Sequence, residues 1–434
     1  MSGHEARRSL ADVFAATAAR LDGEALVRRA IDAEPALAGA THVLAVGKVA
    51  LPMWRGLAGK TRAGVEALAV LPAPLVPAAA LPGLRGLPAD HPQPTERSVA
   101  AASAVTAFVA AARGDGARLL VLLSGGSSSL LCAPAEGLSL ADKRAAVAAV
   151  AAAGATIAEL NTVRKHLSAI KGGRLGAAAR VPVDVLALSD VIGDDAAVIG
   201  SGPFSPDPST FADAQAVIAR LGAVVPPAVT ARLAAGARGA REETPKPGDA
   251  RLASVRYRII AGPDFPREEA HRQIAATGID ARDIGALPAN TEMPVEELAA
   301  AVVEAAHAAT AAGSNRPRVL VGNGEPTIKV RGAGRGGRAT HLALQVARGF
   351  SELPADARAR VAFLAAGTDD RDGNSDVSGA TVDGETWASA IDRGLDPQAA
   401  LDRCDSATLL ATLGATVRGP GTSNLLDLHL LRVD

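Results

Sequence analysis

Aromatic residues are nearly missing from this chain: two Trp, one Tyr and seven Phe in 434 residues. Its cores must therefore be built from Ala, Val, Leu and Ile, which suits sheets covered by helices. Cysteine is almost as scarce. Cys132 and Cys404 form no CxxC pair, which excludes a disulfide framework and a zinc site and leaves both as buried apolar fillers. Neither sign of charge dominates: 45 Lys plus Arg stand against 46 Asp plus Glu, a formal net charge of −1. Neutralising many phosphates needs a basic surplus, so nucleic acid is excluded as the main partner, although a local basic pocket for a small anion stays open. No apolar run is long enough to span a bilayer. The first thirty residues carry Glu5, Asp12, Asp22 and Glu24 among their arginines, unlike a signal peptide. A cytoplasmic protein with no membrane partner is expected.

What is present is a repeated grammar. Leu10, Val13, Phe14, Ala18 and Leu21 recur at helical spacing, and after them short apolar runs alternate with long Ala-rich stretches. The runs "HVLAVGK" (42–48), "ALAVLP" (67–72), "LLVLLSGG" (119–126) and "DVLALSD" (184–190) read as strands of βαβ units. The segment "REETPKPGDARL" breaks the pattern with charge, two prolines and a glycine. The expected organisation is α/β: a Rossmann-like, mostly parallel domain over 1–240, a linker over 241–252, and a mixed-sheet α/β domain over 253–434. In the second half "YRIIAG", "RVLVGNGE", "TIKVRG", "VAFLAAGTD" and "LLDLHLLRV" read as strands, the second and third joined tightly. Nearly every one of these runs ends in Gly, Ser, Asp, Lys or Glu. Ligands of open α/β sheets bind at that carboxyl end.

Several stretches could carry chemistry. In "SGGSSS", Gly125 and Gly126 permit positive φ and close backbone approach, so successive N–H groups can face an anion, with Ser124, Ser127, Ser128 and Ser129 as added donors. A glycine turn with a serine cap is the alternative. Lys48, just past a strand end, suits a phosphoryl group, but its surroundings are not a Walker A loop, and a solvated lysine would also fit. In "LNTVRKHLSAIKGGRLG", Arg164 and Lys171 fall at the margin of an apolar helical face and Arg174 follows a Gly-Gly stop, giving either an anion clamp or surface pairing. Asp190 and Asp194 suit Mg²⁺ or a substrate hydroxyl, as do Asp369, Asp370, Asp372 and Asp376 after a later strand; turn chemistry could also account for Asp194 or Asp372. Gly332, Gly334 and Gly337 satisfy G-x-G-x-x-G, yet the acid that should follow falls at Glu352 in a loop. Arg335 and Arg338 make that loop cationic, better matched to phosphates. His91 in "DHPQPTE" reads as part of a proline-stiffened turn. The loop "RGPGTSNLLD", with Asn424, is left without a role.

Taken together, "VGKVALPM", "DHPQP", "LLSGGSSSLL", "LNTVRKHLSAIKGGRL", "LSDVIGDDAAVIGSGP", "PDPSTFADA", "NGEPTIKVRGAGRGGR", "AAGTDDRDGNSD" and "GPGTSNLLDL" resemble the glycerate 2-kinases with a MOFRL C-terminal domain, proteins often labelled hydroxypyruvate reductases. The resemblance implies two α/β domains facing each other across a cleft, with ATP and Mg²⁺ as cosubstrates. D-glycerate would be the acceptor and 2-phosphoglycerate the product. It places the family's catalytic lysine on Lys48 and its Gly-Gly-Arg arginine on Arg338. The motif departs after that arginine, where Ala339, Thr340 and His341 replace Asn-Gln-Glu. On this reading Ser124, Gly125, Gly126, Ser127, Ser128, Lys171 and Arg174 bind the acceptor. Asp190, Glu325, Gly332, Gly334, Arg335, Gly336 and Gly337 bind the nucleotide, and Asp190, Asp194, Asp369 and Asp372 hold the metal. A homodimer is compatible with this reading. The competing expectations are an NAD(P)H-dependent hydroxypyruvate reductase and a non-catalytic small-anion-binding protein.

Overall fold

The structure is a computed structural model describing residues 3–76, 83–282, 287–312, 316–369, 371–419 and 425–434. It divides into two compact units, Gly23–Ile260 and Met1–Asp22 joined with Ala261–Asp434.

The first unit is built on strands β1 (His42–Val46), β2 (Glu66–Pro72), β3 (Arg85–Ala89), β4 (Leu119–Leu123), β5 (Val183–Leu188) and β6 (Val255–Ala261) in the order β3-β2-β1-β4-β5-β6. Pairings from β3 through β5 are parallel. β1, β4 and β5 are buried along their whole length, which explains apolar runs, broken only by His42 and Asp184, in place of alternation. The strand order reverses between β1 and β4, so the loops leaving them form a topological switch point, the usual ligand crevice of such sheets. β3 was not expected, because "RGLPA" has no apolar run. It is an edge strand, where Pro88 is tolerated, and it delivers Asp90 and His91 to the carboxyl end of the sheet.

The second unit holds β7 (Asp280–Arg282), β8 (Arg318–Gly324), β9 (Val361–Gly367), β10 (Gly379–Asp383), β11 (Thr416–Val417) and β12 (Asp427–Val433), ordered β11-β10-β9-β12-β8-β7. Only β7–β8 is parallel, so the sheet is mixed. Alternate residues sort to opposite faces. Val361, Phe363, Leu431 and Val433 pack under the helices Val295–Ala311 and Arg338–Ser351. Leu364, Leu428 and Leu430 pack under the helices Gly3–Arg20 and Phe265–Ala276.

Three expectations change here. The opening helix was assigned to the first domain, but Leu10, Val13, Phe14 and Ala18 bury against β9 and β12 of the second unit. Residues 241–252 lie inside the first unit, and "YRIIAG" completes that unit's sheet as β6 instead of opening the next domain. "TIKVRG" forms no strand: Thr327 makes an isolated bridge to Pro294, with its N–H donating to Met293 O and its carbonyl accepting from Val295 N. Local composition carries no information about which distant segment a strand or helix will meet.

Candidate active site

At the switch point of the first unit, the loops after β1 and β4 lock together. The Lys48 N–H donates to the Gly125 carbonyl at 3.0 Å, and the Val49 N–H to the Ser124 hydroxyl at 3.1 Å. A Cβ on Gly47 would lie 2.1 Å from Ser124 Oγ, and Gly47 has φ 131°, so only glycine allows this approach. Ser124 is fully buried and spends its hydroxyl on this lock. Its expected contact with substrate is therefore replaced by a structural one.

The next four residues differ. Among the described residues, the N–H groups of Gly125, Gly126, Ser127 and Ser128 meet no acceptor. Four successive unpaired amides at the carboxyl end of a sheet are the arrangement that binds an anion. Lys48, half-buried and without an ion-pair partner among the described residues, passes over the same loop. A Cβ on Gly126 (φ 82°) would meet its Cγ at 3.2 Å and His91 Nδ1 at 3.3 Å. His91 Nδ1 lies 2.7 Å from the Ser129 hydroxyl. Partial burial and the neighbouring Lys48 ammonium lower the imidazole pKa, which favours the neutral ring. Sequence reading set His91 aside as a turn residue; the signal that could have found it was its position just after an edge strand.

Lys171 reaches the loop from beneath, donating to the Ser128 hydroxyl and the Gly200 carbonyl, each at 3.0 Å. Ser128 Oγ is also 3.0 Å from Ser201 Oγ, which donates to Asn161. Arg174 turns elsewhere: its guanidinium donates to the Glu242 and Glu243 carbonyls at 3.0 and 3.4 Å, which removes it from the expected clamp. Asp194 is exposed at φ 54°, and Asp195 caps its own turn through the Ala197 N–H.

In the second unit, the ends of β8 and β9 adjoin the start of β12 and gather charge around Arg338. Its guanidinium holds Asp427 in a two-point pair, Nε to Oδ2 at 2.7 Å and Nη2 to Oδ1 at 3.0 Å, and reaches Glu325 at 2.9 Å. Burial pushes the Asp427 carboxyl up to about 7, against the lowering pull of Arg338. The paired carboxylates keep Arg338 charged. A cavity of about 490 Å³ opens beside them, with Ile328, Val330, Arg338, Asp369 and Asp427 in its wall.

The glycine-rich loop next to this cavity is not an open cradle. Gly334 N–H donates to Arg403 O, Arg335 N–H to Asp405, Gly336 N–H to Asn374 and Gly337 N–H to Asp372, at 2.9–3.2 Å. Its glycines are explained by packing: a Cβ on Gly334 would lie 2.4 Å from Arg403 O, and one on Gly337 2.3 Å from Asp372 Oδ1. Gly332 likewise abuts the Arg403 carbonyl. Phosphate binding by the amides of Gly334, Arg335, Gly336 and Gly337 is thus replaced by internal bonding, and the Arg335 side chain pairs with Asp376.

Asp372 is also corrected. Its carboxylate accepts from Gly337, Ala339 and Thr340 N–H and from the Thr340 hydroxyl, capping the helix Arg338–Ser351. Oδ2 takes three of these bonds and Oδ1 one, so the carboxylate is committed first to the helix start. Among the described residues no group of three or more His, Cys, Asp or Glu is arranged to hold a metal ion, so the set Asp190, Asp194, Asp369 and Asp372 does not form one centre. Asp370 and Asn424 lie outside the described residues.

Residues 9–234 match a family described as "Domain of unknown function (DUF4147)", and residues 318–427 match the MOFRL family. A D-glycerate 2-kinase of Thermotoga maritima is 35% identical over 348 residues, 78% of this chain and 78% of that protein. The chain belongs to the glycerate 2-kinase family with a MOFRL domain. A crystal structure of glycerate kinase from Thermotoga maritima matches this family member with a TM-score of 0.86 at 29% identity, covering 99% of this chain and 100% of that one. A protein of Agrobacterium vitis named "Putative hydroxypyruvate reductase" is 36% identical over 366 residues, 80% of this chain and 77% of its own. The relatives of this glycerate 2-kinase family member therefore carry two activity names. No helix among its described residues is long and apolar enough to cross a membrane.

Proposed function

We propose that this chain transfers the γ-phosphoryl group of ATP to the C2 hydroxyl of D-glycerate, giving 2-phosphoglycerate, with Mg²⁺ entering on the nucleotide phosphates. The observation that carries the reading is the run of four unpaired amides beside Lys48 at the switch point. Phosphoryl transfer asks the protein mainly for positioning and for charge placed where negative charge develops. The amides of Gly125 to Ser128 position the anionic reactants, and the Lys48 ammonium offsets charge on the moving group. The lowered pKa of His91 disfavours a second positive charge beside Lys48. In the second unit Arg338, oriented by Asp427 and Glu325, is a fixed cation at the wall of its own cavity, placed to meet nucleotide phosphate. The cavity of about 490 Å³ beside it has the size of a small-ligand pocket and offers apolar Ile328 and Val330 to a nucleotide. Mg²⁺ commonly keeps several waters and binds through one or two carboxylates plus phosphates, so a dedicated protein cage is not required; Asp369 is the remaining candidate on that cavity wall.

The reductase reading depends on a dinucleotide cradle in "GAGRGGR", and the amides from Gly334 through Gly337 of that loop are already bonded within the chain. The deciding experiment incubates the protein with ATP, Mg²⁺ and D-glycerate and identifies the product by ³¹P NMR, with NADH or NADPH oxidation by hydroxypyruvate followed in parallel. 2-Phosphoglycerate without nicotinamide oxidation is expected. Nicotinamide oxidation without a phosphorylated product would reverse the assignment.

A further inference from the structure

The first unit contains buried positive charge that no carboxylate among the described residues balances. Lys171 is 2% exposed, and among the described residues its ammonium bonds only to the Ser128 hydroxyl and the Gly200 carbonyl. Lys143 is 4% exposed, and its ammonium's one hydrogen-bond partner among the described residues is the Ala133 carbonyl, at 3.5 Å. The side chain of Arg164, half-buried on the helix Ile157–His166, has no hydrogen bond or ion pair among the described residues. Other buried cations of this chain are treated differently: Lys165 pairs with Asp207 at 3.2 Å, and Arg432 with Asp434 at 2.8 Å.

Hydrogen bonds bring these three cations together: Asn161, one turn before Arg164 on the same helix, accepts from the Ser201 hydroxyl beside Ser128, and the Ala133 carbonyl that Lys143 reaches also accepts from the Ser168 hydroxyl and the Ala169 N–H, just before Lys171. Burial lowers the pKa of all three; Arg164 adds to the lowering at both lysines, and Lys143 adds to it at Lys171. Cys132 is the one group that pulls Lys143 and Lys171 the other way, while Arg232 adds to the repulsion at Lys143. Arg232 itself is bonded to the His166 and Glu136 carbonyls. Sequestering like charges without a counter-ion is expensive, and such arrangements concentrate at sites whose ligand supplies the missing charge. The cluster is joined to the reactive loop through Ser128. Next to it, Ser127 is 3% exposed and its hydroxyl has no partner among the described residues. A Cβ at Gly200 would lie 2.5 Å from that hydroxyl, so the facing wall is bare backbone.

We propose that Arg164, Lys171 and Lys143, with the Ser128 hydroxyl, form a subsite for the carboxylate of a small hydroxy acid, the acceptor in the reaction proposed above, on which this inference rests. Arg164 is the accessible member and makes the contact, while the two lysines supply fixed charge behind it. Ser128 registers the carboxylate against the amide run, leaving the hydroxyl carbon toward Lys48. Arg174, bonded to the Glu242 and Glu243 carbonyls, takes no part. The consequence is selection by charge: a neutral polyol of the same size leaves the cations unpaired and is rejected.

The test compares the wild-type chain with Arg164→Gln and Lys143→Met. Melting temperature is read with D-glycerate or glycerol in the absence of nucleotide, and steady-state kinetics are read with ATP. D-glycerate, and not glycerol, is expected to raise the wild-type melting temperature, and both variants lose most of that response. Losing a charge-assisted contact raises KM for D-glycerate roughly 10- to 100-fold, with KM for ATP unchanged. Ligand-free Lys143→Met melts no lower than wild type, which separates lost binding from lost folding. The subsite is overturned if both variants keep the D-glycerate response and KM, or if ligand-free Lys143→Met melts well below wild type with KM unaltered. A wild-type D-glycerate response that Arg164→Gln abolishes, without any phosphorylated product, keeps the subsite and sinks the activity. Product formation with unchanged KM in Arg164→Gln does the opposite.

Discussion

Replacing Lys143 by Met tests whether its charge is a burden carried for a ligand or a structural bond. The side chain is 4% exposed, and its one hydrogen-bond partner among the described residues is at 3.5 Å. Burial, with Arg164 and Arg232 nearby, brings the pKa of the ammonium from 10.5 to about 8. A tenfold step in that equilibrium corresponds to about 1.4 kcal/mol, so the charged form costs the folded chain about 3 kcal/mol. The pKa is lower in the folded chain than in the unfolded one. The penalty is therefore complete below pH 8 and fades as pH rises toward 10.5, where both states lose the proton. Methionine keeps the length and the apolar stem without the charge. Denaturant unfolding of the ligand-free protein at pH 7 should show Lys143→Met more stable by about 1–3 kcal/mol, with the gain shrinking at pH 10. A comparable loss of stability at pH 7 would show the ammonium to be favourably bonded and would refute the reasoning.

Other outcomes follow from the second unit. Asp427→Asn should lower kcat about tenfold or more by loosening Arg338. Wild-type kcat should fall as pH drops through about 7, where Asp427 gains its proton, and the variant should lack that limb of the pH profile. Asp372→Ala removes the acceptor of three amides and a hydroxyl at a helix start and should cost roughly 2 kcal/mol or more in urea unfolding, with KM for ATP unchanged in the folded fraction. A weakened ATP interaction at full stability would instead return Asp372 to the nucleotide.

The parallel sheet was legible because strands buried on both faces leave long apolar runs, and residues 43–46, 119–123 and 185–188 are such runs, the last preceded by the buried Asp184, which pairs with Arg118 and Arg256. The Ser-Gly-Gly loop was legible for a related reason, since two glycines and four serines exceed the needs of a cap. What composition could not reveal was where partners come from. Gly334 and Gly337 spell a phosphate loop, yet Arg403 and Asp372, distant in sequence, crowd their Cβ positions and hold their amides. Asp372 looked like a metal ligand until its helix was in place. Asp427 drew no attention within an apolar strand, and His91 none in a proline turn, because each matters only through a cation brought to it by the fold.

The central claim is that the amide run from Gly125 to Ser128, with Lys48, handles the charge of a transferring phosphoryl group. The most direct measurement is kcat of Lys48→Met with ATP, Mg²⁺ and D-glycerate, taken at wild-type stability. The account predicts a fall of about a hundredfold or more. Turnover close to wild type would contradict it.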